Sequence, residues 1–343
     1  MAAAAPASSA PARGPLGLLR RPWPDRRAEL LLGAVACTIL AFVLGMVVFV
    51  FANAWPSFRE NGLGFFGAPP AGATVDQQLS EILQAPADPA RWTYELNAWP
   101  LLWGTLLTTA GAIVIGTVFA TFAALFLVEF APARVRAVLA PVVTLLAGVP
   151  SVVYGLIGIL AVAPQVAKLI SDERKQSVAG IISLTGESWT VGVLILTMMI
   201  VPVMVAIIAE SLRQVPNAWK EGAMACGVNR FRVAWTISVR TARPAIVAAA
   251  VLATARALGE AIMLAMVTGS VAFAPQPIDG PTFFFEPTRP LAATIVAYSE
   301  GLSVKPFAQT IYAFAALLLL SAMALSLIGW AAKQPMRKYG IRA

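Results

Sequence analysis

The sequence predicts an all-α, polytopic membrane protein with six transmembrane helices, and three observations carry that reading. First, 59% of the 343 residues are hydrophobic and only 12% are charged. A water-soluble domain of this length cannot hide so much apolar surface, so lipid must be part of the solvent. Second, the apolar residues gather into six runs long enough for a hydrocarbon core of about 30 Å. Third, the runs lack the turn-rich alternation of a barrel. Their backbone groups must therefore be satisfied within helices.

The elements follow in order. The first 19 residues are rich in Ala, Pro and Ser, which predicts a disordered arm; it extends to residue 28 through the basic pairs Arg20-Arg21 and Arg26-Arg27. The six spans are expected near 29–52, 99–128, 137–163, 189–210, 243–272 and 305–332. Ala52-Asn53-Ala54 resembles a cleavage site, which would make the first run a signal peptide. The run from Leu30 to Ala52 is too long for the apolar part of such a peptide and favours a retained helix. Residues 333–343 form a short basic tail.

Basic residues set the orientation, because short cytosolic segments are enriched in Lys and Arg. With a cytosolic N-terminus, the arm, the 129–136 loop, the 211–243 segment and the tail together carry 17 of the 25 basic residues. The outer segments carry seven, and Arg256 lies within a span. Both termini are thus expected in the cytosol of a bacterial inner membrane. The net charge of +8 reflects this asymmetry and not a nucleic-acid partner. Trp55, Trp92, Trp99, Trp103 and Trp189 sit near the outer span ends, where an interface belt would place them.

Several chemistries are disfavoured. There is no histidine, which removes the commonest general base and a frequent metal ligand. Cys37 and Cys226 form neither a CxxC nor a metal spacing. No Gly-Lys pair occurs, so the phosphate-cradling loop of an ATPase is missing, and any ATP-driven step must come from another chain.

Two soluble segments stand out. The external stretch 53–98 is mildly acidic, rich in Gly, Pro and Ala, and bare of chemical motifs; it reads as a folded-over loop, with a binding surface as the alternative. The inner stretch 211–243 is long and basic. It contains Glu221-Gly222-Ala223-Met-Ala-Cys-Gly227 and, ten residues on, Ile237. Small residues at 222, 223 and 225 let a short helix sit deep in a groove of another protein, and Gly227 can end that helix in a left-handed conformation. An ordinary amphipathic interfacial helix is the alternative.

Within the spans, Arg256 and Glu260 are expected on one helix face, four residues apart. Arg256 falls about 18 Å along the fifth span from Pro244, at about 1.5 Å per residue. An arginine at mid-membrane costs about 2.5–3.5 kcal/mol even on lenient scales, so it must face a polar cavity or a partner. Its guanidinium fork suits phosphate oxygens. The pair can act as a gate, in which phosphate competes for Arg256 while Glu260 accepts a proton from HPO4. Alternatively the two charges neutralise each other as a structural pair. In the third span, Pro150 leaves the Leu146 carbonyl without its usual donor, and Ser151 and Tyr154 put hydroxyls near that irregularity. Gly148, Gly155 and Gly158 allow close helix approach.

These stretches resemble a known family. Glu221, Ala223, Gly227 and Ile237 keep the spacing of the EAA loop of binding-protein-dependent ABC importer permeases, with Gly222 in place of an alanine and Val239-Arg240 in place of Leu-Pro. Ala147–Gly155 and Arg256–Glu260 resemble signatures of the phosphate-transport permeases, the PstC and PstA pair. Met266–Ser270 and Pro290–Ala297 are more similar to PstC. The resemblance covers about 99 to 332. It implies a type I ABC importer permease core over 99–332, with Glu221, Gly222, Ala223, Gly227 and Ile237 coupling to the ATPase. It also implies Arg256, Glu260, Ser151 and Tyr154 on a phosphate pathway. The implied partners are a PstA-like permease, two PstB-like ATPase subunits holding ATP and magnesium, and a PstS-like phosphate-binding protein. This chain itself would bind no cofactor. Alternatives are a permease for sulfate or molybdate, an ion-coupled secondary transporter, and an intramembrane enzyme.

Overall fold

A computed structural model describes residues 23–70, 73–86, 88–177 and 182–336; most of the N-terminal arm for which disorder is expected, and most of the basic tail, lie outside them. The chain divides into two compact units, Met1–Phe49 and Val50–Ala343. The described part of the first unit is the beginning of α1 (Trp23–Asn61). Its apolar side chains are exposed all round, Leu30 at 68% and Phe42 at 72% among them. A helix apolar on every side is stable against lipid and not against water.

The described residues of the second unit form helices joined by irregular connections. In chain order it contains the end of α1, α2 (Val75–Leu83), α3 (Trp99–Leu125), α4 (Ala133–Ala147), α5 (Ser151–Ile157), α6 (Ala163–Leu169) and α7 (Asp172–Ser177). There follow α8 (Trp189–Arg213), α9 (Asn217–Ala225), α10 (Arg230–Val233), α11 (Arg240–Leu258), α12 (Ile262–Val267), α13 (Leu291–Ala297) and α14 (Lys305–Met336). Among the described residues, six helical stretches are long and apolar enough to cross a membrane: Arg27–Phe66, Trp99–Phe130, Ser151–Leu169, Trp189–Arg213, Arg230–Leu258 and Lys305–Ala331.

Three of these differ from the expected spans. The first runs past residue 52, because α1 continues to Asn61, so 53–61 is helix and not loop. The run 137–163 is not one helix: it breaks at Gly148-Val149-Pro150 into α4 and a second stretch, 151–169. Pro150 has no N–H to continue the ladder and becomes the N-cap of α5. The Leu146 carbonyl is nevertheless satisfied, because Tyr154 Oη donates to it at 3.0 Å and the Val149 N–H at 3.3 Å. The fifth span begins earlier than expected, at Arg230, and stops at Leu258. Its start is continuous through a π-helical turn, Ala234–Val239, so Ile237 and much of the basic 211–243 segment lie inside a long helix. Pro202 and Pro244 likewise lie inside helices, α8 and α11.

Two apolar clusters hold the second unit together. The larger joins α3, α5, α8, α11 and α12 through Ala120, Tyr154, Ile195, Met199, Ile208, Ala253, Met263 and Val267. Hydroxyls on these helices serve their own backbone: Thr105, Thr108 and Thr197 each donate to the carbonyl four residues earlier at 2.7 Å. Small side chains and self-satisfied hydroxyls let helices approach without orphaned polar groups. The smaller cluster explains residues 53–98. Phe65, Val75, Leu79, Ile82 and Leu96 bury themselves against Leu101, Leu291, Phe307 and Phe314. Each such side chain contributes about 1.5–3 kcal/mol when removed from water. Thr74 and Gln77 form a reciprocal capping box that starts α2. The stretch is therefore a built cap on the ends of α3, α13 and α14.

The segment between α12 and α13 carries a buried carboxylate, Glu286, 1% exposed. Burial raises its pKa to about 7; the Gln276 N–H opposes this, and the charge and hydrogen bond of Asp279 add to it. The folded segment thus holds a proton that an unfolded chain releases near 4.5. That contribution is complete below about pH 4.5 and is lost as pH rises towards 7, amounting at most to about 3 kcal/mol. The thermal midpoint of the detergent-solubilised protein is expected to fall between pH 5 and pH 8. Glu286→Gln should flatten this dependence while keeping an acceptor for Gln276. Equal slopes in both proteins would exclude Glu286 as the source.

Candidate functional site

The helices that follow the two breaks pack together. Gly155 and Gly158, just after the 148–150 break, lie against α12, just after the 259–261 break. A β-carbon at Gly155 would stand 3.3 Å from Met263 Cα, and one at Gly158 would stand 2.4 Å from Val267 Cγ1. The stretches 147–155 and 256–269, about a hundred residues apart in the chain, thus form one contiguous region.

Arg256 occupies the last turn of α11 and is exposed. Glu260 is half-buried and lies beyond the helix, which ends at Leu258 with Gly259 as its C-cap. The expected arrangement, both charges on one helix face at mid-span, is therefore corrected. Gly259 stops the helix before Glu260 can complete the turn. Glu260 instead receives the Met263 N–H at 3.3 Å and caps α12. Among the described residues no ion pair joins the two, and Arg256 makes no side-chain hydrogen bond. Tyr154 is 6% exposed, and its hydroxyl is already committed to the Leu146 carbonyl. Ser151 opens α5 and is half-buried. The region therefore presents an uncompensated guanidinium, a carboxylate one loop away, and two helix ends. A small oxyanion could be held there by the guanidinium fork.

The expected coupling residues lie elsewhere, on and after α9. This helix buries none of its side chains. Glu221 and Gly222 are exposed, and nothing lies within 4 Å of a β-carbon built at Gly222. Gly227 has φ +81. The Val228 N–H bonds the Ala223 carbonyl at 3.3 Å and the Gly227 N–H bonds the Met224 carbonyl at 2.9 Å, a Schellman ending that requires the left-handed residue glycine supplies. Asn229 then caps α10 through the Arg232 N–H at 2.8 Å. Ile237 is half-buried in the π-helical turn, apart from the exposed α9 surface.

Two charge clusters were not legible in the sequence. Glu129, in the π-helical turn Phe126–Phe130 that ends α3, accepts from Lys220 Nζ at 2.6 Å and from Ser238 Oγ at 2.8 Å. Arg289, 5% exposed, pairs with Asp76, donates to the Ser270 carbonyl at 3.2 Å and lies 5.1 Å over the Tyr298 ring. Apart from the nearby Ser270 and Tyr298, these partners are separated by 91 to 213 residues, so no local motif announces them.

Comparison with known proteins agrees with this architecture. The family described as "Binding-protein-dependent transport system inner membrane component" matches residues 112–333. The phosphate transport system permease protein PstC 1 of Mycobacterium tuberculosis is 32% identical over 257 residues, spanning 73% of this chain and 74% of that protein. The probable ABC transporter permease YqgH of Bacillus subtilis is 29% identical over 73% of each chain. The probable phosphate transport permease PstC of Methanocaldococcus jannaschii is 28% identical over 70% of this chain and 72% of its own. Among solved structures, a chain of a bacterial alginate ABC transporter, crystallised with its alginate-bound periplasmic protein, superposes with TM-score 0.55 at 15% identity, covering 93% of this chain and 99% of that one. With six helical stretches able to span a membrane among the described residues and a family match over 112–333, the chain is a member of the binding-protein-dependent transport system inner membrane components.

Proposed function

We propose that this chain is one half of the translocation pathway of an ATP-driven importer of inorganic phosphate. The observation that carries the reading is the close packing of the helices that follow the two breaks, with Arg256, given no carboxylate partner among the described residues, on the turn before the second break. Arg256 is exposed at the end of a membrane-spanning stretch and has no carboxylate partner among the described residues, so its guanidinium is open to an incoming anion. Phosphate offers oxygens for the fork, and its remaining hydroxyl can donate to Glu260; sulfate has no such proton. The relatives named phosphate transport permeases support that choice. The helix α4, none of whose side chains is fully buried, offers an apolar face to the homologous PstA-like permease that completes the pathway. The exposed α9 is the docking element for PstB-like ATPase subunits, which hold ATP and magnesium. The cap formed by 62–98 and the segment 273–290 face the side from which a PstS-like binding protein delivers phosphate. The bias of basic residues supports a cytosolic position for α9 and both termini.

The test is uptake of radiolabelled phosphate, with sulfate and molybdate in parallel, by cells lacking other phosphate transporters and carrying the whole operon. Phosphate uptake that depends on this chain and ignores the other anions is expected. Uptake of sulfate or molybdate instead would overturn the phosphate assignment.

A further inference from the structure

The ends of α3, α9 and α11 are tied at one residue. The Glu129 carboxylate takes the Lys220 ammonium at 2.6 Å, and the two side chains are only 11% and 13% exposed. The same oxygen accepts from Ser238 in the π-helical turn leading into α11, at 2.8 Å. The Glu129 backbone carbonyl accepts from the Arg230 guanidinium, which also lies 5.4 Å over the Phe130 ring. Arg136 braces the turn from the other side, donating to the carbonyls of Leu127 at 3.0 Å and Val128 at 2.8 Å. By contrast α9 has no buried side chain of its own, so apolar packing does not fix it to the bundle. Its attachment is largely electrostatic, desolvated and directional, the kind of contact that transmits a displacement instead of absorbing it.

We infer that Glu129 is a positioning residue: it clasps α9 to α3 and α11, so that movement imposed on α9 reaches Arg256 at the far end of α11. Arg256 lies in the same continuous helical stretch as the clasped Ser238, Arg230–Leu258, so a shift at one end is carried along the rod. The inference rests on α9 being the ATPase-docking element. It adds that docking and coupling are separable, with Glu221 on the docking surface and Glu129 behind it.

The experiment uses the whole transporter in proteoliposomes, with three readouts. Docking is read by cross-linking native Cys226, exposed at the end of α9, to the ATPase. Hydrolysis and phosphate uptake are then measured together. In Glu129→Gln the amide can still accept from Ser238, so the fold is kept, but the ion pair with Lys220 is gone. We expect docking and ATP hydrolysis within twofold of the parent, with phosphate moved per ATP falling at least tenfold. The charge-reversed pair Glu129→Lys with Lys220→Glu should recover much of that ratio over Glu129→Lys alone, which a merely local structural role would not require. An unchanged ratio in Glu129→Gln, or no recovery in the reversed pair, would overturn the clasp. Failure of Cys226 to cross-link the ATPase in the parent protein would instead overturn α9 as the docking element.

Discussion

Arg256→Gln should reduce phosphate uptake at least a hundredfold while the chain reaches the membrane at its normal level. The argument runs from the surroundings of the side chain. Arg256 is exposed on the last turn of α11, and the described residues give it no carboxylate partner. Removing it therefore leaves no buried charge behind, and folding should tolerate the change. What is lost is a charged fork for phosphate oxygens, and a hydrogen bond to a charged group contributes about 1.5–3 kcal/mol. Two such bonds make about 3–6 kcal/mol, and each 1.4 kcal/mol is tenfold. Arg256→Lys should lie between, because an ammonium keeps the charge but not the fork. Glu260→Gln is the informative companion. Its amide oxygen can still cap α12 through the Met263 N–H, so local structure survives while the negative charge does not. Loss of discrimination against sulfate in this variant would place Glu260 on the pathway. Normal uptake in both Arg256→Gln and Glu260→Gln would remove the pair from the pathway altogether.

That pair also shows how far the sequence could be read. Its existence, and the six-span helical class, were legible because charge inside an apolar run and run length are local signals. Its geometry was not. Spacing of four residues implies a shared face only while the helix lasts, and Gly259 ends it. The third span misled in the same way: hydropathy is continuous across 148–150, whereas the backbone is not, because Pro150 has no N–H to give. Gly227 was legible to the level of its φ angle, since a glycine after a short helix of small residues has few other purposes. The Glu129–Lys220 clasp and the Arg289–Asp76 pair left no local trace. They join residues far apart in the chain, and only the packed fold brings them within reach.

Gly158→Leu should be strongly damaging, lowering uptake at least tenfold and destabilising the solubilised protein. Even the first added carbon has no room. A β-carbon at 158 would lie 2.4 Å from Val267 Cγ1 and 3.1 Å from Ile195 Cγ1. Both neighbours are β-branched and stiff, so neither can swing aside as a long side chain would. Overpacking of this kind costs about 1–3 kcal/mol, and more when helices must part. The displaced element would be α12, which carries Met263 and with it the hydrogen bond that holds Glu260. The steric wedge thus acts on the same break that positions the pathway charges. Gly45→Ala is the matching control: nothing lies within 4 Å of a β-carbon there, and alanine favours a helix interior by about 1 kcal/mol. Thermal midpoints in detergent and uptake in cells should separate the two, with Gly158→Ala intermediate and Gly45→Ala at or above the parent. If Gly158→Leu matched the parent in both readouts, the close approach of α5 and α12 would not be what holds the two broken helices in register.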